Sequence, residues 1–331
     1  MMDHRRYEVI LCAEEPIAHH SESFGNSAIF MRRKVRQPDG TFVSVPTLTA
    51  DTMRHGMREA AAYALLDAAG LLDAPGLTEA ALRLLFAGGM ITGKGDASTV
   101  KLDDYRRMID LIPSVSLFGG CAGNRCIPGR LQVGDAMLLC LEQMHLLPGW
   151  VGDYLAAQEA QADTQRAFVE EVQRVRMDPA LQPSKRLLLT EGERGKAEAR
   201  LIASEAASAK GDAVEAEAAK STMMPRRFET VVQGSLFFWR VSAVCHSALE
   251  LDTFHLALGA FLGNARVGGK KGTGHGLLRA LTAQKIEIRR PLENCTAIDP
   301  GALAPEAGEL FRDHVKARAA DVRSFLEQVD A

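Results

Sequence analysis

No excess of positive charge runs along this chain. Its 39 Lys and Arg are outweighed by 42 Asp and Glu, for a formal net charge of −3, so no global field draws it to nucleic acid and any anion site must be local. Cysteine is sparse: six residues, at positions 12, 121, 126, 140, 245 and 295, with no CxxC pair and no regular spacing. With no secretory leader legible ahead of them, reduced thiols and a cytoplasmic chain are the expectation. Cys121 and Cys126 lie five apart in a glycine-rich loop and would make half of a metal site. No second Cys or His pair at matching spacing supplies the other half, so no metal is expected. Long apolar runs are also missing. None approaches the ~18 residues that a bilayer span needs, so a soluble chain with no membrane partner is expected.

The motifs of catalysis are equally scarce. Nine histidines are scattered without HExxH, and none joins an HxE to a CxxC, which removes the usual support for hydrolytic metal chemistry. His19 and His20 follow the first strand as either an acid–base pair or structural histidines. Glu14 and Glu15 are adjacent, hence on opposite faces of a strand, and cannot work as a pair. No GxxxxGK[ST] loop occurs, and no Rossmann glycine pattern opens a helix after a strand, which weighs against a nucleotide-binding α/β enzyme. Nothing assembles a nucleophile with its base, so neither an enzyme nor a cofactor is expected.

What is present is an ordinary globular balance, 47% hydrophobic and 24% charged, in a length that holds one large domain with insertions or two ordinary ones. Residues 7–17 read as a first strand. Two β-prone runs flank Pro38-Asp39-Gly40, a hairpin with four basic residues on one arm. A helix follows from Asp51 to Gly70, with Thr49 or Asp51 as its cap and Met53, Met57, Ala60 and Ala64 at helical spacing. Two shorter helical stretches surround the glycine-rich segment 88–96. Residues 130–142 read as a strand and 152–176 as a long amphipathic helix. From 191 to 220 the chain is Ala, Glu, Lys, Ser and Gly, either an exposed helix or a mobile projection, of which the projection is preferred. Residues 226–245 are β-prone, 250–263 helical, and 285–290 a final strand before a polar C-terminal helix. Reduced to its core, the order suits an α+β, ferredoxin-like or RRM-like βαββαβ sheet with large insertions.

The cations are clumped: Arg32, Arg33, Lys34 and Arg36 on the hairpin, Arg54 and Arg58 one turn apart on the first helix, Arg125 with Arg130, Arg226 with Arg227, and Lys270 with Lys271. Each clump is either a solvated face or a phosphate contact. The loop Gly268-Gly269-Lys270-Lys271-Gly272-Thr273-Gly274-His275-Gly276 suits a structural turn, a backbone contact to phosphate, or packing against a neighbouring subunit. Met223 and Met224 ahead of Arg226 offer flexible side chains that fill gaps or cap the core.

Several stretches in chain order resemble the RAMP superfamily and, within it, the type IV, Csf-type backbone subunits of CRISPR effectors. The first is Val45-Pro46-Thr47-Leu48-Thr49-Ala50-Asp51-Thr52-Met53-Arg54-His55-Gly56-Met57-Arg58. The second is Leu117-Phe118-Gly119 with Gly129-Arg130-Leu131-Gln132-Val133-Gly134-Asp135-Ala136, and the third is the glycine loop after an aliphatic helix. The resemblance implies an RRM-like palm (1–70, 117–146 and 234–331), a helical finger insertion (71–116), and a β-hairpin thumb within the insertion 147–233, near Met223–Phe228. It further implies a non-catalytic subunit that oligomerises along CRISPR guide RNA, leaving bases free to pair with target DNA or RNA. Its RNA contacts would be Asn26, Arg32, Arg33, Lys34, Arg36, Arg54, Arg58, Arg125, Arg130, Met223, Met224, Arg226, Arg227, Lys270, Lys271 and His275. The implied partners are the guide RNA, other copies of the chain, large, cap and guide-processing subunits, and a DinG-type helicase. Gly56 sits one place later than the corresponding glycine of type III relatives. The stretch 24–35 lacks their slicing aspartate, so binding without target cleavage is implied. A RAMP-type processing endoribonuclease, with His275 as base and Lys270 or Lys271 stabilising the phosphorane, is the alternative.

Overall fold

The computed structural model describes residues 3–24, 27–73, 76–89, 102–122, 125–160, 162–174, 185, 187–209, 226–289, 292–298 and 307–328. The chain divides into a larger unit (Met1–His19, Met31–Val169, Val231–Ala331) and a smaller one (His20–Phe30, Glu170–Thr230).

The larger unit is built on a nine-stranded antiparallel sheet. Its middle is β1 (Asp3–Ala13), flanked by β12 (Leu236–Cys245) and β14 (Leu277–Arg289). Both faces of β12 are apolar: Phe237, Phe238, Trp239, Val241 and Ala243 are all buried, as a central strand covered on two sides requires. The order continues from β12 through β9 (Ala136–Leu138) and β5 (Phe42–Leu48) to the edge strand β4 (Arg32–Arg36). Beyond β14 lies β13 (Ala265–Arg266), while β15 (Leu292–Ile298) also pairs β14 and β8 (Leu131–Val133) pairs β12.

One face of the sheet carries α1 (Ala50–Ala68) and α7 (Ala248–Gly263). Trp239 meets Phe261 of α7 at 5.8 Å, and the Tyr7 hydroxyl is 2.8 Å from His255 Nε2. The other face takes α5 (Gly149–Ala157), whose Val151 and Leu155 bury against Ile10, Leu139 and Phe238. Glu8, 4% exposed, accepts from Trp150 Nε1 at 2.9 Å and from Arg240 Nε at 2.9 Å. The helices α2 (Glu79–Leu82), α3 (Leu102–Leu111) and α4 (Pro113–Phe118) share a second core with α8 (Glu309–Ala317) and α9 (Ala319–Gln328), through Ala81, Met108, Val115, Phe311 and Leu326.

The smaller unit holds a four-stranded sheet, β10-β11-β3-β2, with β2 His20–Phe24, β3 Ser27–Phe30, β10 Val169–Arg174 and β11 Arg226–Val231. It also holds α6 (Glu191–Ala209).

Four expectations are corrected. Residues 130–142 are two short strands and a 3-10 turn, because Gly134 and Asp135 interrupt the ladder. Residues 152–176 do not form one helix: α5 stops at Ala157, Glu159 turns with φ 52°, and β-branched Val169 opens β10. The preferred mobile projection begins as α6, since Ala, Glu, Lys and Arg are strong helix formers even where Ala197 is the one buried side chain among those described in that helix. The strand read at 285–290 is the end of a thirteen-residue β14, and β15 follows it.

Candidate nucleic-acid interface

The basic hairpin turns at Pro38-Asp39-Gly40, where Asp39 Oδ1 accepts from Thr41 Oγ1 at 2.7 Å and Thr41 N at 2.9 Å. Those two bonds hold the Asp39 carboxyl below its usual range. Within β4 only Val35 points into the core, while Lys34 and Arg36 are exposed and Arg33 donates from Nε to Asp135 Oδ2 at 3.0 Å. Charge on an edge strand also prevents pairing with another chain, so this row has a structural use beside any phosphate contact.

The first turn of α1 is capped from outside its own sequence. Thr49 has cap dihedrals but makes no side-chain cap bond; instead Asp135 Oδ1 accepts from Ala50 N at 2.7 Å. A carboxylate at a helix N-terminus meets both an orphan N–H and the positive end of the dipole. One side chain thereby ties β4 to α1, a role no local motif announced. His19 Nε2 lies 3.4 Å from Thr49 N and 3.3 Å from Thr49 Oγ1, which gives His19 a structural partner.

The glycine loop arrives at the same place. Gly269 N donates to Ala18 O at 2.7 Å and Gly276 N to Pro16 O at 2.9 Å, so the loop is laced to the exit of β1 beside His19. Lys271 is exposed at its tip, and Lys270 takes a left-handed φ of 60°. His275 is only 5% exposed, with Nδ1 2.9 Å from Thr273 O. Its placement braces the loop and does not offer an accessible base.

Arg54 and Arg58 take an arrangement of their own. Both donate from Nη2 to the Phe118 carbonyl, Arg58 at 2.9 Å with a longer contact to Gly119 O at 3.4 Å. The Arg58 guanidinium also lies 5.6 Å from the centre of the Phe118 ring. Surface pairing with Asp51 or Glu59 is not what holds them. Among the described residues neither arginine is paired with a carboxylate. Burial, with the Arg54 charge beside it, brings the Arg58 pKa down to about 10. Two converging guanidiniums that meet neutral acceptors, and no carboxylate among the described residues, form an arrangement that can receive an anion.

Arg130 is spent differently: its Nη2 pairs with Glu250 and its Nε donates to Ser116 O at 3.3 Å. In the smaller unit, Arg226 and Arg227 are exposed on β11, with Arg227 3.9 Å from Glu171. Phe228 beside them is buried, packed on His20 at 5.9 Å and under Arg174 at 5.7 Å. Asn26, Met223, Met224 and the Arg125 side chain lie outside the described residues.

The thiol expectation is corrected at one position. Cys121 and Cys126 face each other across β6 (Gly120–Ala122) and β7 (Arg125–Ile127) and form a disulfide. Cross-strand pairing brings them together, which spacing alone did not reveal. Cys12, Cys140 and Cys245 are free. Burial pushes the Cys140 and Cys245 thiols up to about 12. No group of three or more His, Cys, Asp or Glu able to hold a metal occurs among the described residues, and no described helix is long and apolar enough to cross a membrane.

No protein-family model matches this sequence, and no curated protein matches it. Among solved structures, the chain is similar in fold to a chain of a Type IV-B CRISPR complex. That similarity covers 87% of this chain and 92% of that one, at a TM-score of 0.50 and 16% identity.

Proposed function

We propose that this chain is a component of a type IV CRISPR ribonucleoprotein, and within it the non-catalytic backbone subunit that oligomerises along the guide RNA. The observation that carries the proposal is the fold likeness, because it extends over 87% of this chain and 92% of that one. The strand order β14-β1-β12-β9, with α1 and α7 on one face, supports an RRM-like palm. The helices between 79 and 118 would be the finger and the β-rich smaller unit the thumb. Arg54 and Arg58, the β4 cations, Lys271, Arg226 and Arg227 are the residues proposed to hold RNA phosphates, while Arg130 and His275 act as braces. Pairing partners are target DNA or RNA through the guide, further copies of the chain and the other effector subunits. No observation favours the endoribonuclease reading.

The test is gel filtration of the purified chain with RNAs of increasing length. Particles should grow stepwise with RNA length. A single particle size regardless of length removes the polymer, and no association with RNA removes the proposal.

A further inference from the structure

The walls around Arg54 and Arg58 meet at a hairpin that one disulfide closes. Phe118 and Gly119, whose carbonyls receive the two guanidiniums, run directly into β6. On the opposite side Arg58 packs so closely over Gly88 that a Cβ there would overlap its guanidinium. Cys121 spans the two walls, because its N–H donates to Gly88 O at 2.6 Å and its residue bridges Gly89. A Cβ at Gly89 would overlap the Cys121 carbonyl, so the approach is close along the whole contact.

The element that supplies Cys121 is small. The β6–β7 ladder has three residue pairs and forms a sheet of its own, and an isolated two-stranded hairpin is marginal in water. The disulfide to Cys126 closes it. Cys126 is exposed, so a thiol reagent can reach the bond. The free thiols described are buried or, for Cys12, half-buried, which leaves this disulfide as the more accessible redox centre among the described residues.

We infer that the Cys121–Cys126 disulfide is a redox latch on the Arg54–Arg58 anion site: oxidised, it fixes both guanidiniums for phosphate, and reduced, it releases them. This rests on the proposed RNA binding. The chemistry is thiol–disulfide exchange with a dithiol. The dithiol is oxidised to its own disulfide, giving up two electrons and two protons, and Cys121 and Cys126 each gain a thiol hydrogen as the S–S bond breaks. With the hairpin loosened, the Gly88–Cys121 bond frays and the Phe118 and Gly119 carbonyls no longer hold the two side chains in one geometry. Ordering them then opposes binding, since rotamer freedom must be lost on contact with phosphate.

Two measurements on the full chain test it, each with oxidised protein, dithiothreitol-reduced protein and the Cys121→Ser, Cys126→Ser double variant. Hydrogen exchange over residues 84–89 and 117–127 should rise on reduction and be high in the double variant. Affinity for a labelled single-stranded RNA should fall roughly tenfold on reduction, with the salt slope lower by about 1.4 for two lost phosphate contacts. The double variant should behave as the reduced protein with or without dithiothreitol. Unchanged exchange on reduction overturns the latch whatever the RNA result. Raised exchange with unchanged RNA affinity overturns its coupling to the site and leaves RNA binding standing. RNA binding in neither state, with exchange still redox-dependent, overturns the proposed function and with it the latch's role in RNA binding.

Discussion

At the scale of single residues, the useful question is which cations remain uncommitted. Arg130 and Arg266 each find a carboxylate, Glu250 and Glu15, so their charge is already answered. The Arg266 pair is bidentate at 2.7 and 2.9 Å. Arg54 and Arg58 meet backbone carbonyls and the Phe118 ring, with no carboxylate among the described residues. If they contact RNA phosphates, an Arg54→Ala, Arg58→Ala double variant lowers the salt slope of RNA binding by about 0.7 per lost single-strand contact. An unchanged slope, read by anisotropy titrations at several salt concentrations, would assign the pair to holding the Phe118 loop alone. Sequence suggested this pair because positions four apart share a helix face. It suggested Arg130 on the same grounds of charge, and there it had no means of seeing Glu250, which is 120 residues away. Asp135 was equally hidden: its two partners, Ala50 and Arg33, come from elements that only the fold brings beside it.

At the scale of elements, legibility followed how local the deciding forces are. The 38–40 turn, α1 and α7 could be read because turn chemistry and helical period act within a few residues. The break at Gly134-Asp135 could not, since the pairing of β8 and β9 with β12 on either side of it is decided across the sheet. The second face of the sheet illustrates the point. Nothing in the sequence couples Glu8 to Trp150, yet Glu8 receives both Trp150 and Arg240 and helps hold α5 on β1 and β12. Removing that carboxylate leaves a part-buried indole N–H without its acceptor. The Arg240 contact adds less because Arg240 is 48% exposed and screened by solvent. Glu8→Ala should therefore cost about 2 kcal/mol. It should appear as a lower urea midpoint at unchanged m. A loss below about 0.5 kcal/mol, the scale of an ordinary surface substitution, would show that α5 is held by its apolar contacts alone.

At the scale of the whole molecule, the chain leaves the larger unit twice and returns twice to positions beside its departure. It leaves after His19 and re-enters at Met31, where Met31 N donates to His19 O at 2.7 Å. It leaves again after Val169 and returns at Val231, and there Val232 N donates to Phe168 O at 3.0 Å. The larger unit thus closes both openings with its own backbone bonds. Its sheet and the two apolar clusters around α5 and around α8 and α9 draw only on residues of that unit. Insertions with adjacent ends impose little loop-closure cost on the fold that hosts them. Replacing residues 20–30 and 170–230 by two short glycine–serine turns should therefore leave a chain that unfolds in one cooperative transition, checked by thermal melting and retained far-ultraviolet circular dichroism. If the smaller unit serves as the thumb, the trimmed chain retains a share of its RNA affinity through Arg54 and Arg58 but no longer builds larger particles on longer RNAs. A trimmed chain that fails to fold would show that the larger unit depends on the smaller one for stability. One that folds and still polymerises would remove the smaller unit from the assembly.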